Sequence, residues 1–248
     1  LKHLKNRLMK KTLLLLILFF SLAANAQDFW TPVSQFPEQT FAPKQISIAD
    51  SNVVWVYGYN GRGPGATTQQ WFRTTDGGTI WTQGNFDLGN NDLQINSLHA
   101  VSETVAYVCA NTGIPGSPGG IWMTSDAGVT WTSQSTAFSN AESFVNFVHL
   151  WNATDGIAVG DPNNGYFEIY TTQNAGQNWV RVPSANIAAP LEEELGYTSI
   201  YEIRDNSIWF GTNGGRIFKS NDRGEILVCN PEPFSRFWQP RVRWAFRF

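Results

Sequence analysis

Cysteine, methionine, histidine and charge are all scarce in this chain. Of 248 residues two are Cys, two Met and three His, and Asp, Glu, Lys and Arg together make up 15%. Two cysteines, Cys109 in an expected core strand and Cys229 in an irregular tail, give no disulfide framework. His99 and His149 fall on expected strands with no third ligand at metal spacing, so packing is their default role and no metal or cofactor is expected. Beyond the first 25 residues no segment keeps a helical apolar period over two or more turns, which leaves an all-β chain. What is abundant fits that class. The 11 Trp, the 14% aromatics, and the scattered 22 Gly and 12 Pro suit many short strands joined by tight turns.

The first segment reads as an address. Lys2, Lys5, Arg7, Lys10 and Lys11 precede an apolar run over 13–22, and Ala24-Asn25-Ala26 places small residues where a signal peptidase reads. The run is short for a bilayer span. Residues 1–26 are therefore expected to be a cleaved signal peptide, with secretion or surface display and no membrane insertion after cleavage. Met9-Lys10-Lys11 looks like the start, which places residues 1–8 upstream of it. Removing those five positive charges moves the formal net charge from −3 to −8. An acidic domain of this kind is a poor nucleic-acid binder, because phosphates demand clustered Lys and Arg.

The rest of the chain repeats itself. Segments 71–81, 121–131, 169–179 and 217–227 align without gaps, placing Asp76, Asp126, Asn174 and Asp222 in one column with steps of 50, 48 and 48. A second column, Gly58, Cys109, Gly160 and Gly211, recurs every 51 residues. Each repeat reads as four strands: A (45–49, 97–101, 145–150, 199–203), B (53–58, 105–109, 157–160, 207–211), C leading into the aligned segment and D leaving it. Phe72, Trp122, Tyr170 and Phe218 should share one face with Thr74, Thr124, Thr172 and Ser220, since strand side chains alternate. The turn chemistry has a plain logic. A Thr or Ser hydroxyl opens it, a carboxylate or amide two residues on accepts backbone N–H bonds, and Gly78, Gly128, Gly176 and Gly224 supply positive φ. Trp81, Trp131 and Trp179 then offer large areas for packing one repeat on the next.

These segments resemble the Asp-box, or BNR, repeat, Ser/Thr-x-Asp-x-Gly-x-Thr-Trp. Thr124 to Trp131 matches at every specified position; the first departs at Ile80, the third at Asn174 and Asn178, the fourth at Ile226 and Leu227. With phrases such as Gly156-Ile-Ala-Val-Gly160 about ten residues before a box, the chain looks most like the photosystem II stability and assembly factor-like propellers. Secreted bacterial relatives of that group often carry a type IX secretion sorting domain. The resemblance covers residues 28 to about 225 and implies a β-propeller of four-stranded antiparallel blades. It says much less about function, because such boxes shape turns and do no chemistry.

Both ends of the repeat array are irregular. Residues 29–33 look like a D strand without its own A, B and C, which in closed propellers completes the last blade; an ordinary leading strand is the alternative. From Ile226 the box is lost and an Arg- and Trp-rich string runs to Phe248. If Ile226 were encoded ATC and Leu227 CTG, reading one base later would restore Ser-Trp, so residues 226–248 read either as a frameshifted tail or as a degenerate last blade. The expectation is an incomplete ring over 27–225, with an open edge on the fourth repeat, a tail that forms no proper blade, and poor solubility.

No catalytic constellation emerges. A sialidase needs three arginines clamping a carboxylate, a Tyr–Glu pair and an acid/base Asp; Arg62, Arg73, Arg181, Arg204, Arg216 and Arg223 lack that pattern, and Arg73 and Arg223 read as exposed box residues. Asp161-Pro-Asn-Asn-Gly165 reads as a turn first and a calcium loop second, and Glu192-Glu193-Glu194 as a solvated acidic loop. The B-to-C and D-to-A loops emerge on one face and are the long ones, so Tyr59, Arg62, Asp161 and Glu193 become the candidate binding positions there. The expected function is a secreted, non-catalytic binding or assembly scaffold whose partner is a protein or a glycan. A carbohydrate-active enzyme on the same fold is the alternative.

Overall fold

A computed structural model describes residues 36, 40–62, 67–114, 116–117 and 119–229. The expected signal segment 1–26, the leading strand 29–33 and residues 230–248 of the tail lie outside them. The described residues belong to one compact unit of four antiparallel four-stranded sheets, each with its strands in chain order. Blade 1 is β1 (Phe41–Ile48), β2 (Val54–Asn60), β3 (Thr67–Thr74) and β4 (Thr82–Asn85). Blade 2 is β5 (Gln94–Ala100), β6 (Ala106–Asn111), β7 (Gly120–Thr124) and β8 (Thr132–Ser133); blade 3 is β9 (Val145–Leu150), β10 (Gly156–Asn163), β11 (Tyr166–Thr172) and β12 (Val180–Arg181). Blade 4 is β13 (Gly196–Arg204), β14 (Ser207–Thr212), β15 (Ile217–Ser220) and β16 (Val228–Cys229), and one 3-10 turn, Ser184–Asn186, lies between β12 and β13.

Strand register shows which side chains share a face. Val56 pairs with Phe72, Val108 with Trp122, Ala158 with Tyr170 and Phe210 with Phe218. These positions look back toward the preceding blade, as the aromatic column anticipates. The alternate positions look forward: Tyr57 with Trp71, Cys109 with Ile121, Val159 with Ile169 and Gly211 with Ile217. The 51-residue column is therefore not in register. Gly58 and Gly160 lie on one face, Cys109 and Gly211 on the other, because the equivalent positions Val56, Val108, Ala158 and Phe210 recur at even steps of 52, 50 and 52, so an odd step of 51 switches the face.

Three apolar cores lie between successive blades. Trp55, Tyr57 and Trp71 of blade 1 meet Val108, Trp122 and Trp131; Tyr107, Cys109 and Ile121 of blade 2 meet Ala158, Tyr170 and Trp179; Phe147, Ile157 and Ile169 of blade 3 meet Phe210, Phe218 and Leu227. Trp131 and Trp179 of the aligned column thus bridge blades, with Trp131 5.1 Å from Phe86 and 6.4 Å from Trp55 by ring centroid. Leu227 takes that place in blade 4, and Val228 and Cys229 pair with Lys219 and Phe218. Residues 226–229 accordingly complete the fourth blade, against the expectation of a tail from Ile226 that forms no proper blade: the backbone ladder and one buried apolar side chain suffice there without the Trp.

No cluster among the described residues joins blade 4 to blade 1, so the described residues form an incomplete β-propeller. Blade 1's backward face instead holds Phe41, Val56 and Phe72 with Phe36 and Trp81. Near the axis the inner strands are linked through side chains. Gln45 Oε1 accepts from the Leu98 amide at 2.9 Å, Ser47 Oγ from the Ala100 amide at 2.8 Å, and His99 Nε2 donates to the Leu150 carbonyl at 3.0 Å. Blade 1 thereby satisfies inner-edge amides of blade 2, and blade 2 an inner-edge carbonyl of blade 3.

Candidate functional site

The four aligned hairpins have one geometry. In blade 2, Thr124 Oγ1 donates to Asp126 Oδ1 at 2.8 Å and accepts from the Gly128 amide at 2.9 Å, while Asp126 Oδ1 accepts from the Thr130 amide at 2.9 Å. Thr74, Asp76 and Gly78 repeat this, as do Ser220, Asp222 and Gly224. Asn174 repeats it with an amide, accepting from the Asn178 amide at 2.9 Å, with Thr172 and Gly176 in their places. Hydrogen bonds from Thr130 and Thr124 hold the Asp126 carboxyl down at about 2, and those from Ile80 and Thr74 lower Asp76. All four glycines have positive φ. A second reason for them is spatial: a Cβ on Gly128 would lie 2.4 Å from Trp71 Cζ2, and one on Gly224 2.4 Å from Ile157 Cδ1. The hairpins press against the preceding blade, and each is tied to its own A-to-B turn, as by Ala127 N to Thr104 O at 2.9 Å.

The candidate loop positions separate on folding. Tyr59 sits half out of solvent at the end of β2, opposite Ala42 and Thr67. Arg62 is exposed, its amide bonded to Asn60 Oδ1. Glu193 is exposed in a left-handed conformation. Asp161 is not on an exposed loop: it lies within β10, and its Oδ1 accepts from Asn146 Nδ2 and the Gly196 amide, both at 2.8 Å. Burial raises its carboxyl despite those donors. Only Asn164 and Gly165 form the turn, with φ of 60° and 87°. Among the described residues no three Asp, Glu, His or Cys side chains gather as a metal site, and no helix is long and apolar enough to cross a membrane.

The acidic triplet needs a correction. Glu194 is buried, ion-paired with Arg216 and bonded to Thr212 Oγ1 and the Leu191 amide. Its burial alone would raise the carboxyl, but Arg216, Thr212 and Leu191 outweigh that and hold it below the usual range. Arg73 and Arg223 are likewise structural rather than solvent-filling. Arg73 Nη1 of blade 1 donates to Glu103 O at 2.6 Å and Ala127 O at 3.1 Å in blade 2; Arg223 Nη1 of blade 4 meets Asp155 Oδ2 of blade 3 at 2.5 Å. Arg181 Nη2 bonds Asn163 O at 2.8 Å, its guanidinium 4.2 Å over Tyr166. Sequence patterning hides the Arg73 and Arg223 contacts, because their partners come from different repeats. His99 and His149 pack with ring centroids 4.3 Å apart. Burial lowers His99 to about 4, and burial with the neighbouring His99 lowers His149 to about 3.

Three depressions mark the two loop-bearing faces. On the long-loop face, a cleft of about 220 Å³ lies between the blade 2 B-to-C loop and the loop into blade 3, lined by Asn111, Ile114, Ser117, Glu142, Ser143 and Phe144. On the hairpin face, adjoining hollows of about 370 and 200 Å³ share Thr171, Thr172, Gln173 and Glu225. The smaller adds Trp151, Asp155, Asp222 and Arg223. The hairpin face is thus not featureless, contrary to the emphasis that loop length places on the other side. Two of its carboxylates are committed, Asp155 to Arg223 and Asp222 to its own turn, while Glu225 lines both hollows.

Solved structures with the same arrangement exist. A protein of unknown function from Dyadobacter fermentans matches with a TM-score of 0.52 and 10% identity over 78% of this chain and 69% of that one. A GH74 xyloglucanase from Xanthomonas campestris matches with a TM-score of 0.50 and 14% identity, over 81% of this chain. The fold is a β-propeller. This chain spans about a third (34%) of the xyloglucanase. YCF48 bound to D1 peptide matches at 16% identity and a TM-score of 0.45, over 79% of this chain and 70% of that one. No family model and no curated protein matches the sequence.

Proposed function

We propose that the chain is an exported, non-catalytic propeller scaffold, its four hairpins being Asp-boxes, that binds a protein or glycan through its long-loop face. One observation supports this most: the long-loop cleft at Asn111, Ile114 and Glu142 is open, mixed in polarity and lined by a single carboxylate. Glycoside hydrolysis needs two carboxylates flanking the scissile bond, one of them a raised-pKa acid. The hollow that does gather carboxylates offers Asp155, whose hydrogen bonds from Asn152 and Thr154, with Arg223 alongside, push it the other way. The signal segment 1–26 would carry the chain out of the cytoplasm.

The test uses the purified chain on peptide and glycan arrays and, in parallel, in a reducing-end release assay on a panel of polysaccharides. The expected result is binding without hydrolysis, weakened at least tenfold, about 1.4 kcal/mol, by Ile114→Asp with Glu142→Lys. N-terminal sequencing of the exported protein should begin at Gln27. Hydrolysis abolished by Glu225→Gln or Asp155→Asn would overturn the reading in favour of the enzyme.

A further inference from the structure

The forward face of blade 4 is the fourth instance of a surface that the molecule covers three times. Its positions are the register equivalents of the forward residues of the other blades. Trp209 stands where Trp55, Tyr107 and Ile157 stand, and Ile217 where Trp71, Ile121 and Ile169 stand. Those six are buried in the following blade. On blade 4 the same face lines an open hollow of about 430 Å³ with Ile200, Trp209, Gly211 and Ile217. Ile200 is 55% and Ile217 43% exposed.

The other end of the arc carries the matching surface. Ile46 pairs with Val56 and Ile48 with Val54, so both point backward from blade 1, where they are 61% and 68% exposed. In blade 2 their register equivalents are Leu98 and Ala100, opposite Val108 and Ala106. The amides of Leu98 and Ala100 point at the preceding blade and are received by Gln45 and Ser47. Glu202, opposite Trp209, occupies on blade 4 the place that Ser47, opposite Trp55, occupies on blade 1. It presents an exposed acceptor to an incoming inner strand. Apolar pattern and hydrogen-bonding edge therefore agree on one occupant, a blade of this same repeat. Among the described residues the two ends meet near the axis, where Ser199 Oγ donates to Gln45 Oε1 at 3.3 Å. Phe36 stands 5.0 Å from both Phe72 and Trp81, over the outer half of blade 1, and leaves the inner half with Ile46 and Ile48 open.

We propose that the forward face of blade 4 docks on the backward face of blade 1 of a second copy, giving head-to-tail assembly with Ile200, Trp209 and Ile217 against Ile46 and Ile48, and Glu202 accepting from the partner strand's backbone. Such a heterologous contact leaves a free end of each kind on every assembly, so it propagates unless it closes a ring. This surface is separate from the long-loop cleft and stands or falls without it.

Analytical ultracentrifugation of the purified chain tests it with two paired variants, all four positions being exposed enough to mutate without emptying a core. Wild type should show mass rising with concentration. Ile200→Glu with Ile217→Glu, and separately Ile46→Glu with Ile48→Glu, should each be monomeric and keep the wild-type circular dichroism spectrum. An equimolar mixture of the two should form a dimer and nothing larger, since one intact blade 4 face then meets one intact blade 1 face. A monomeric wild type would overturn the proposal, as a ring closing on itself would give. So would a dimer that survives the blade 1 variant alone, which would mean that blade 4 faces pair with each other.

Discussion

At the scale of single residues, Glu194 and Arg216 show what burial does to charge. Glu194 Oε1 and Oε2 receive Arg216 Nε and Nη2, and a further Nη2 bond reaches the Ala189 carbonyl at 2.9 Å, so the loop between β12 and β13 is fastened to the residue that leads into β15. Breaking one partner of a buried pair strands the other's charge, whereas removing both is far milder. Arg216→Leu should cost about 3–5 kcal/mol, and adding Glu194→Leu should recover part of that. Denaturant midpoints of the two variants check this; equal losses would mean that the pair is not coupled. The sequence showed Glu194 only as one of three glutamates in a row. Its partner lies 22 residues away, and no local pattern distinguishes a glutamate that turns inward from two that do not. Gly128 makes the same point from another side: positive φ was legible in the turn, but the approach of Trp71 from another blade was not.

The hairpin is the element on which the repeat is written. Thr124 is buried, and its hydroxyl is the acceptor of the Gly128 amide, so Thr124→Ala leaves a buried N–H unmet and should cost about 1–3 kcal/mol. Asp126→Asn should behave differently, because blade 3 already makes the same turn with Asn174. At neutral pH it should leave stability nearly unchanged. The folded carboxyl of Asp126 lies below its ordinary value of 3.8, so the unfolded chain binds a proton first as pH falls. Its contribution is complete above pH about 4 and lost toward pH about 2; the variant should flatten that part of the acid unfolding curve, and an unchanged slope would count against it. Spacing and composition reveal this element because its hydrogen bonds join residues two to four apart. The register of the strands behind it is less legible. Equivalent positions such as Val56, Val108, Ala158 and Phe210 recur at even steps, so the column at an odd step of 51 falls on alternating faces.

For the whole molecule, stability should follow position in the arc. Blades 2 and 3 are covered on both faces, with β6 wholly buried, while blade 4 is covered on one. In a repeat array each unit is held by its neighbours, so amides of β6 and β10 should exchange slowest and those of β13 and β15 faster. Head-to-tail assembly adds that blade 4 protection rises with protein concentration. Hydrogen exchange at two concentrations measures both, and uniform protection across the blades would contradict the open arc. Period, strand number, turn geometry and the aromatic face were determined by the sequence itself, because each rests on contacts within one repeat and recurs four times. Which arginines staple blades, where Glu194 turns, that Leu227 can stand for a tryptophan, and which two faces are left open were decided only by the tertiary structure. Those depend on which residue distant in the chain arrives opposite, from another blade for Arg73, Arg223 and Leu227 and from 22 residues away for Glu194, and no local pattern specifies that arrival.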